Sequence, residues 1–225
     1  KDPRMSMYFL QPMTAGQRKY IGCRAGAAIG SNIVAKRLYS TVNVQETTPS
    51  LWLTASEMAF CKAEGVLRGW NMGGGTAKEY YERGVKLSFN QWGVDGVVNY
   101  LLDDTSTEAN YADALGGFGG AAAKASTITI KWDDNATMDE KMERLITQKW
   151  IALFPNGQEA WNEIRRTGYP RIFSVPQATN GYTLLTPNRI PFDKNQQINN
   201  RSNYDKAVEL LGGPDDYATR MWWQR

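Results

Sequence analysis

Gln148-Lys149-Trp150-Ile151-Ala152-Leu153-Phe154-Pro155-Asn156-Gly157-Gln158-Glu159-Ala160-Trp161-Asn162-Glu163-Ile164-Arg165-Arg166-Thr167-Gly168-Tyr169-Pro170 reads as two helices packed across a tight Pro-Asn-Gly turn and closed by a Gly-Tyr-Pro stop. The first helix is expected to open at Thr137, where Thr137 and Glu140 spell a T-x-x-E capping box that satisfies orphan backbone N–H groups. From there Met138, Met142, Leu145, Ile146 and Leu153 recur on one helical face. The second helix ends on Arg165 and Arg166, cations suited to the negative end of the helix dipole, with Gly168 as a left-handed terminator and Pro170 beyond it. The pair is therefore a folding unit with its own start and stop signals.

Working outward, the same grammar recurs upstream. Thr54 and Glu57 make another capping box, followed by Ala59, Ala63, Val66, Leu67 and Trp70 at helical spacing. Gly73-Gly74-Gly75 breaks that helix, and Thr76 with Glu79 opens the next, whose Tyr81, Val85, Phe89 and Trp92 keep the period. Two such helices joined by a short Gly loop form an antiparallel αα-hairpin, and their period suits a tetratricopeptide-like unit. One hairpin cannot bury both its faces, so it must pack on the Thr137 helix, on the residues before Pro49, or on material outside this chain.

The rest is loop-rich. Residues 1 to about 50 carry Gly16, Gly22, Gly26 and Gly30 without a sustained period. The Gly116–Gly120 cluster and Ala121-Ala122-Ala123 suggest a loop with a short helical turn. Ile128, Ile130 and Trp132 alternate with polar residues as a brief strand would. Pro176, Pro187 and Pro191 exclude long helices from Pro170 to Ser202, and a last helix is expected from Tyr204 to Leu211 with Asn203 as its N-cap. The expected fold class is mainly α, tetratricopeptide-like helical hairpins with long ordered loops.

The quoted run resembles the C-terminal signature of the SusD/RagB family of outer-membrane lipoproteins. Asp2-Pro3-Arg4, Thr54-Ala55-Ser56-Glu57-Met58-Ala59-Phe60-Cys61-Lys62-Ala63-Glu64-Gly65, Arg68-Gly69-Trp70 and Met221-Trp222-Trp223 match in the family's order and span nearly the whole chain. The resemblance implies a SusD-like helical fold over residues 1–225 as a single domain that lacks the N-terminal part of the family fold. It also implies a non-catalytic surface protein that binds oligosaccharide or polysaccharide, starch among such glycans, and passes it to a SusC-like TonB-dependent outer-membrane transporter. The implied location is the outer membrane at the cell surface, through a lipid anchor this chain does not carry.

Composition narrows the chemistry independently. With 26 basic against 23 acidic residues scattered along the chain, there is no basic run of the kind nucleic-acid readers carry, so nucleic acid is not an expected partner. No apolar run reaches the roughly 18 residues of a membrane-spanning helix. The chain has no histidine, which removes Ser-His-Asp and Cys-His catalysis and His-ligated zinc. Cys23 and Cys61 are too few for a metal site, and Cys61, inside an apolar helix, is expected to be buried. Neither glycine cluster has phosphate-loop spacing, and Asp103-Asp104 and Asp133-Asp134-Asn135 lack the spacing of a calcium loop, so neither a cofactor nor a metal is expected.

A sugar ring needs a flat apolar platform for its C–H face and short polar groups for its hydroxyls. Eight Trp, eleven Tyr and abundant Asn can supply both. Trp70, Trp150 and Trp161 lie within expected helices and are assigned to packing, as are Tyr80 and Tyr81. The candidate ligand-binding residues are Tyr39 and Trp52, in loops, and Trp92, at a helix end beside Gly93, with Trp132 similar in kind. For Trp52 the competing role is a hydrophobic staple at the start of its helix. Glu159 and Glu163, at i and i+4, could suggest the paired acids of a glycoside hydrolase, but two carboxylates on one helix face are expected to pair with Arg165, Arg166 and Lys149 instead. No catalytic residue is assigned. The remaining alternatives are a carboxylate-based glycoside hydrolase and a helical-repeat scaffold that binds protein.

Overall fold

The computed structural model describes residues 2–12, 20–27, 38–114, 120–173 and 187–224. Helix α1 (Met5–Tyr8) leads into β1 (Phe9–Leu10), which pairs antiparallel with β2 (Thr41–Val42). Helices α2 (Ala55–Leu67) and α3 (Ala77–Gln91) form the expected hairpin across Gly73-Gly74-Gly75, all three with positive φ. After α4 (Val97–Leu101), β3 (Tyr111–Ala112) pairs antiparallel with β4 (Ala121–Ala122). Then come α5 (Met138–Ala152), α6 (Gly157–Thr167), α7 (Lys194–Asn199), α8 (Arg201–Leu211) and a closing 3-10 turn at Trp222–Gln224. The described residues are mainly helical, as the hydrophobic spacing predicts.

The helix starts follow the local code. Thr76 with Glu79 and Thr137 with Glu140 build complete capping boxes, and the Thr54 side chain accepts the Glu57 N–H at 3.1 Å. Gly168 closes α6 at φ 79°. The hairpin helices approach closely at one point: a Cβ on Gly84 would stand 2.7 Å from the Phe60 ring, and the Ser56 hydroxyl donates to the Gly84 carbonyl at 2.7 Å. Only a glycine lets Phe60 lie flat across α3 there. Phe60, Ala63, Tyr81, Val85, Phe89, Leu145 and Ala152 then fuse α2, α3 and α5 into one core. The hairpin's second face is thus covered by the Thr137 helix, one of the covers the sequence leaves open.

Arg4 locks the start of the chain onto that core. Its guanidinium is fully buried and donates to Asp2, to Ser88 on α3 at 2.9 Å and to Gln148 on α5 at 2.9 Å, while its plane faces the Phe89 and Tyr100 rings at 4.9 and 5.4 Å. Burial works against the Arg4 charge, yet the Asp2 carboxylate overrides it and holds the guanidinium above its ordinary pKa.

Several expectations are corrected. Trp70 is 62% exposed, because α2 stops at Leu67 and Gly69 turns the backbone at φ 77°, carrying the ring off the apolar stripe. Cys61 is exposed, one residue and so about a quarter-turn round from Phe60. Ala121 and Ala122 form β4 and no helical turn. Ile128 to Trp132 form no strand; their carbonyls serve side chains instead, Ile130 accepting from Tyr81 and Thr129 from Arg144. The final helix begins at Arg201 with Asn200 as N-cap, not Asn203. Gly16, Gly30, Gly116, Gly117, Gly119 and Pro176 lie outside the described residues.

Candidate functional site

The residues flagged from sequence go to three different places. Tyr39 is buried, and its hydroxyl donates to the Asp113 carboxylate at 3.1 Å, just beyond β3. Burial, reinforced by that carboxylate, pushes the Tyr39 hydroxyl up to about 12, so it remains a donor at any physiological pH. Trp92 is half-buried and packs edge-on against Tyr8, with centroids 4.9 Å apart, and lies 5.8 Å from Phe154. Trp52 is 90% exposed, with Leu53 beside it also exposed. Trp132 is buried in the core, with its indole N–H donating to Asp134 at 2.8 Å. Trp161 carries the Arg165 guanidinium 3.7 Å from its ring and donates its N–H to the Pro187 carbonyl, which fits the packing role read from sequence.

The charge cluster of the decisive run is structural. Lys149 and Glu163 are both buried and meet at 2.8 Å. Arg166 grips Glu64 of α2 with both terminal nitrogens, at 2.5 and 2.7 Å, and Glu163 at 2.8 Å; Arg68 adds a further bond to Glu64 at 2.8 Å. Burial raises the Glu64 pKa and the Arg166 hydrogen bonds lower it, with the lowering winning. The hydrogen bonds from Arg166 to Glu64 hold that guanidinium above its ordinary value. Burial opposes the Lys149 charge, but Glu163 prevails and keeps its pKa raised. Glu163 therefore pairs as expected, whereas Glu159 accepts from Asn162 at 3.0 Å. Glu64, the partner that ties the two hairpins together, was not singled out from sequence.

An open cleft of about 620 Å³ lies on another side of α5, with wall residues Asp2 and Tyr100 and others drawn from the segments 22–25, 106–111, 126–130, 144–151 and 170–173. Its rings are Tyr111, Trp150 and Phe173, with Tyr111 and Phe173 centroids 5.8 Å apart, and the buried Tyr100. The same walls hold Ser106, Thr107, Glu108, Thr147, Gln148 and Arg144. The Tyr111 rim is fixed from both sides. Its hydroxyl accepts the Arg24 backbone N–H at 3.2 Å, Arg24 donates to the Ala121 carbonyl at 3.1 Å, and the Tyr39–Asp113 bond braces the same hairpin from behind. Tyr39 thus supports the cleft without lining it. A second, apolar hollow of about 300 Å³ lies among Tyr8, Phe9, Trp150, Phe154 and Pro155 and offers few polar groups to a hydroxylated ligand.

The cleft escaped the sequence reading because its walls come from distant parts of the chain, and its best rings sat in unremarkable contexts. Trp150 was assigned to packing yet is 38% exposed, and Tyr111 and Phe173 carry no local signal. Among the described residues no group of three or more His, Cys, Asp or Glu is placed to hold a metal ion.

Comparison with known proteins gives a consistent picture. The description "SusD-like: Susd and RagB outer membrane lipoprotein" matches residues 1–224. A SusD homologue from Bacteroides uniformis superposes with a TM-score of 0.92 at 40% identity, over 100% of this chain and 47% of its own. A chitin-binding SusD homologue from Flavobacterium johnsoniae gives 0.89 at 40% identity, over 100% and 46%. A third, from Bacteroides thetaiotaomicron, gives 0.89 at 38%, over 100% and 49%. The chain spans about half the length of these solved structures. No curated protein matches it.

Proposed function

We propose that this chain, which belongs to the SusD-like family of SusD and RagB outer-membrane lipoproteins, binds an oligosaccharide in the Tyr111–Trp150–Phe173 cleft without transforming it. The carrying observation is the composition of that cleft: three aromatic rings interleaved with hydroxyl, amide and guanidinium groups, the pairing that a sugar's alternating C–H faces and hydroxyls require. The chitin-binding relative, similar over the whole of this chain, supports a carbohydrate as the ligand class.

The acids near the cleft support binding over hydrolysis. A glycosidase needs two opposed carboxyl groups free to trade protons. Here Glu108 accepts the backbone N–H groups of Ala125 and Ser126, and Glu143 accepts the Ser126 hydroxyl and faces Arg171 at 3.5 Å. Both are committed to holding the walls. Trp52, exposed outside the cleft, serves in this reading as an additional stacking platform for a long polysaccharide, while Tyr39 acts through the Tyr111 rim and Trp92 through the packing behind it.

We place these residues as one unit of a larger SusD/RagB-like fold, with the αα-hairpin as tetratricopeptide-like scaffolding. The protein sits at the cell surface on the outer membrane and delivers captured glycan to a SusC-like TonB-dependent transporter. Affinity electrophoresis through gels containing a polysaccharide panel tests the binding, with retardation by at least one polysaccharide expected. A reducing-sugar assay on the same mixtures tests the rest, and sugar release at an enzymatic rate would replace this reading with the hydrolase.

A further inference from the structure

We propose that the cleft selects acidic oligosaccharides of the uronate type, whose carboxylate is received by Arg144. The inference rests on the glycan-binding reading above and adds the charge of the ligand to it.

The acids of the cleft wall are already answered within the protein. Glu108 accepts the N–H groups of Ala125 at 2.7 Å and Ser126 at 2.9 Å. Asp2 is locked to Arg4 at 2.6 Å and accepts the Tyr100 hydroxyl at 2.7 Å. Arg144 is the contrast. Its Nε donates to the Thr129 carbonyl at 3.1 Å, but its Nη1 is buried with no hydrogen-bond partner. An unbonded N–H on a buried cation is costly and calls for an acceptor. A carboxylate suits it best, because its two oxygens match the fork of a guanidinium and the bond is charge-assisted. Arg144 itself lines the cleft, where a carboxylate would enter.

The surroundings favour the same ligand. Arg24 and Arg171 line the cleft as well, but Arg24 donates to the Ala121 carbonyl at 3.1 Å and Arg171 faces Glu143 at 3.5 Å, so at this wall it is Arg144 that carries an unanswered donor. Tyr111, Trp150 and Phe173 meanwhile offer ring faces to the apolar side of the sugar, which inorganic anions cannot use.

The test is titration calorimetry of trigalacturonate, neutral β-1,4-galactotriose and chitotriose into the full chain. Trigalacturonate is expected to bind at least about tenfold tighter than either neutral sugar, a charge-assisted hydrogen bond being roughly twice as strong as a neutral one. Its affinity should also fall when sodium chloride is raised. Arg144→Gln and Arg144→Lys should weaken trigalacturonate by about tenfold more than they weaken galactotriose, Lys losing the two-point geometry while keeping the charge. Thermal melts establish that these variants fold. If either does not, the rim pair Arg24→Gln with Arg171→Gln is expected to lower trigalacturonate affinity severalfold and galactotriose little. Equal affinity for the charged and neutral sugars, or tighter binding of chitotriose, would overturn the charge selectivity and leave glycan binding standing. Binding of none of the three would overturn both.

Discussion

The two sides of α5 carry charge in opposite ways. Toward α2 and α6, Lys149, Glu163, Arg166 and Glu64 answer one another within 2.5–2.8 Å, and both Lys149 and Glu163 are almost sealed from water. Toward the cleft, Arg144 is equally buried, yet one of its terminal nitrogens has no partner. A buried network in which charges are matched in pairs holds helices together. The unmatched Nη1 of Arg144, which lies at the cleft, is the place proposed for an outside acceptor; the unmatched Nε of Arg165 lies instead against the Trp161 ring. Charge alone therefore does not identify a site; the hydrogen-bond accounting around it does.

The comparison breaks most visibly in the matched network. Glu163→Ala leaves Lys149 buried without its closest partner and is expected to cost about 3–5 kcal/mol. Circular-dichroism melts should then show a drop on the order of 10 °C for a chain of this size. Adding Lys149→Met to that background should recover much of the loss, since the stranded charge goes with it. If Glu163→Ala melts like the wild type, the network is not holding α6 to α2.

Packing beside the network gives the next largest effect. Gly84→Ala drives a Cβ into the Phe60 ring and should cost about 1–3 kcal/mol by denaturant titration. A neutral result would mean that α2 and α3 can separate without penalty.

The pH dependence of stability sharpens the contrast. Glu64 is held below its ordinary 4.5, so as pH falls the unfolded chain takes up this proton before the folded one does. Its contribution is present above about pH 4.5 and is lost as pH falls through the folded value. Lys149 is raised above 10.5, so its contribution is full below that pH and is lost as pH rises through the folded value. Melts from pH 6 downward should thus show a stability loss that Glu64→Gln reduces, with Asp2, Asp103 and Asp215, also held below their ordinary values, supplying the remainder; an unchanged slope in that variant would place the acid sensitivity in those groups alone.

On the cleft side the effects on stability shrink. Arg144→Gln gives up one bond to Thr129 and one unpaired donor, and its stability should change by no more than about 1 kcal/mol. Trp52→Ala, at a ring 90% exposed, should shift stability by less than about 0.5 kcal/mol while reducing retardation by long polysaccharides. A large loss of stability in Trp52→Ala would instead make it the hydrophobic staple.

What the sequence disclosed follows the reach of the interactions. The T-x-x-E starts, Gly168 and the hairpin break at Gly73 are local, each settled by residues within four positions, and the structure contains them, with two of the three expected capping boxes complete and Thr54 present as an N-cap alone. The partner of Arg166 lies 102 residues away, and no periodicity points from one helix to a particular acid on another. Trp70 was misread because a face predicted by period 3.6 lasts only as long as the helix, and α2 ends three residues earlier. The cleft was hidden for the strongest reason: Tyr111, Arg144 and Phe173 meet only after distant segments have been brought together, and none of them breaks a local rule.

The most direct test of the central claim, that a helical frame presents a cleft which holds sugar and leaves it intact, is equilibrium dialysis of the wild-type chain against labelled trigalacturonate, galactotriose and chitotriose, with the length of the recovered sugar read by mass. The account predicts saturable retention of at least one trisaccharide, recovered entirely as trisaccharide. Retention of none, or recovery as shorter fragments, would contradict it.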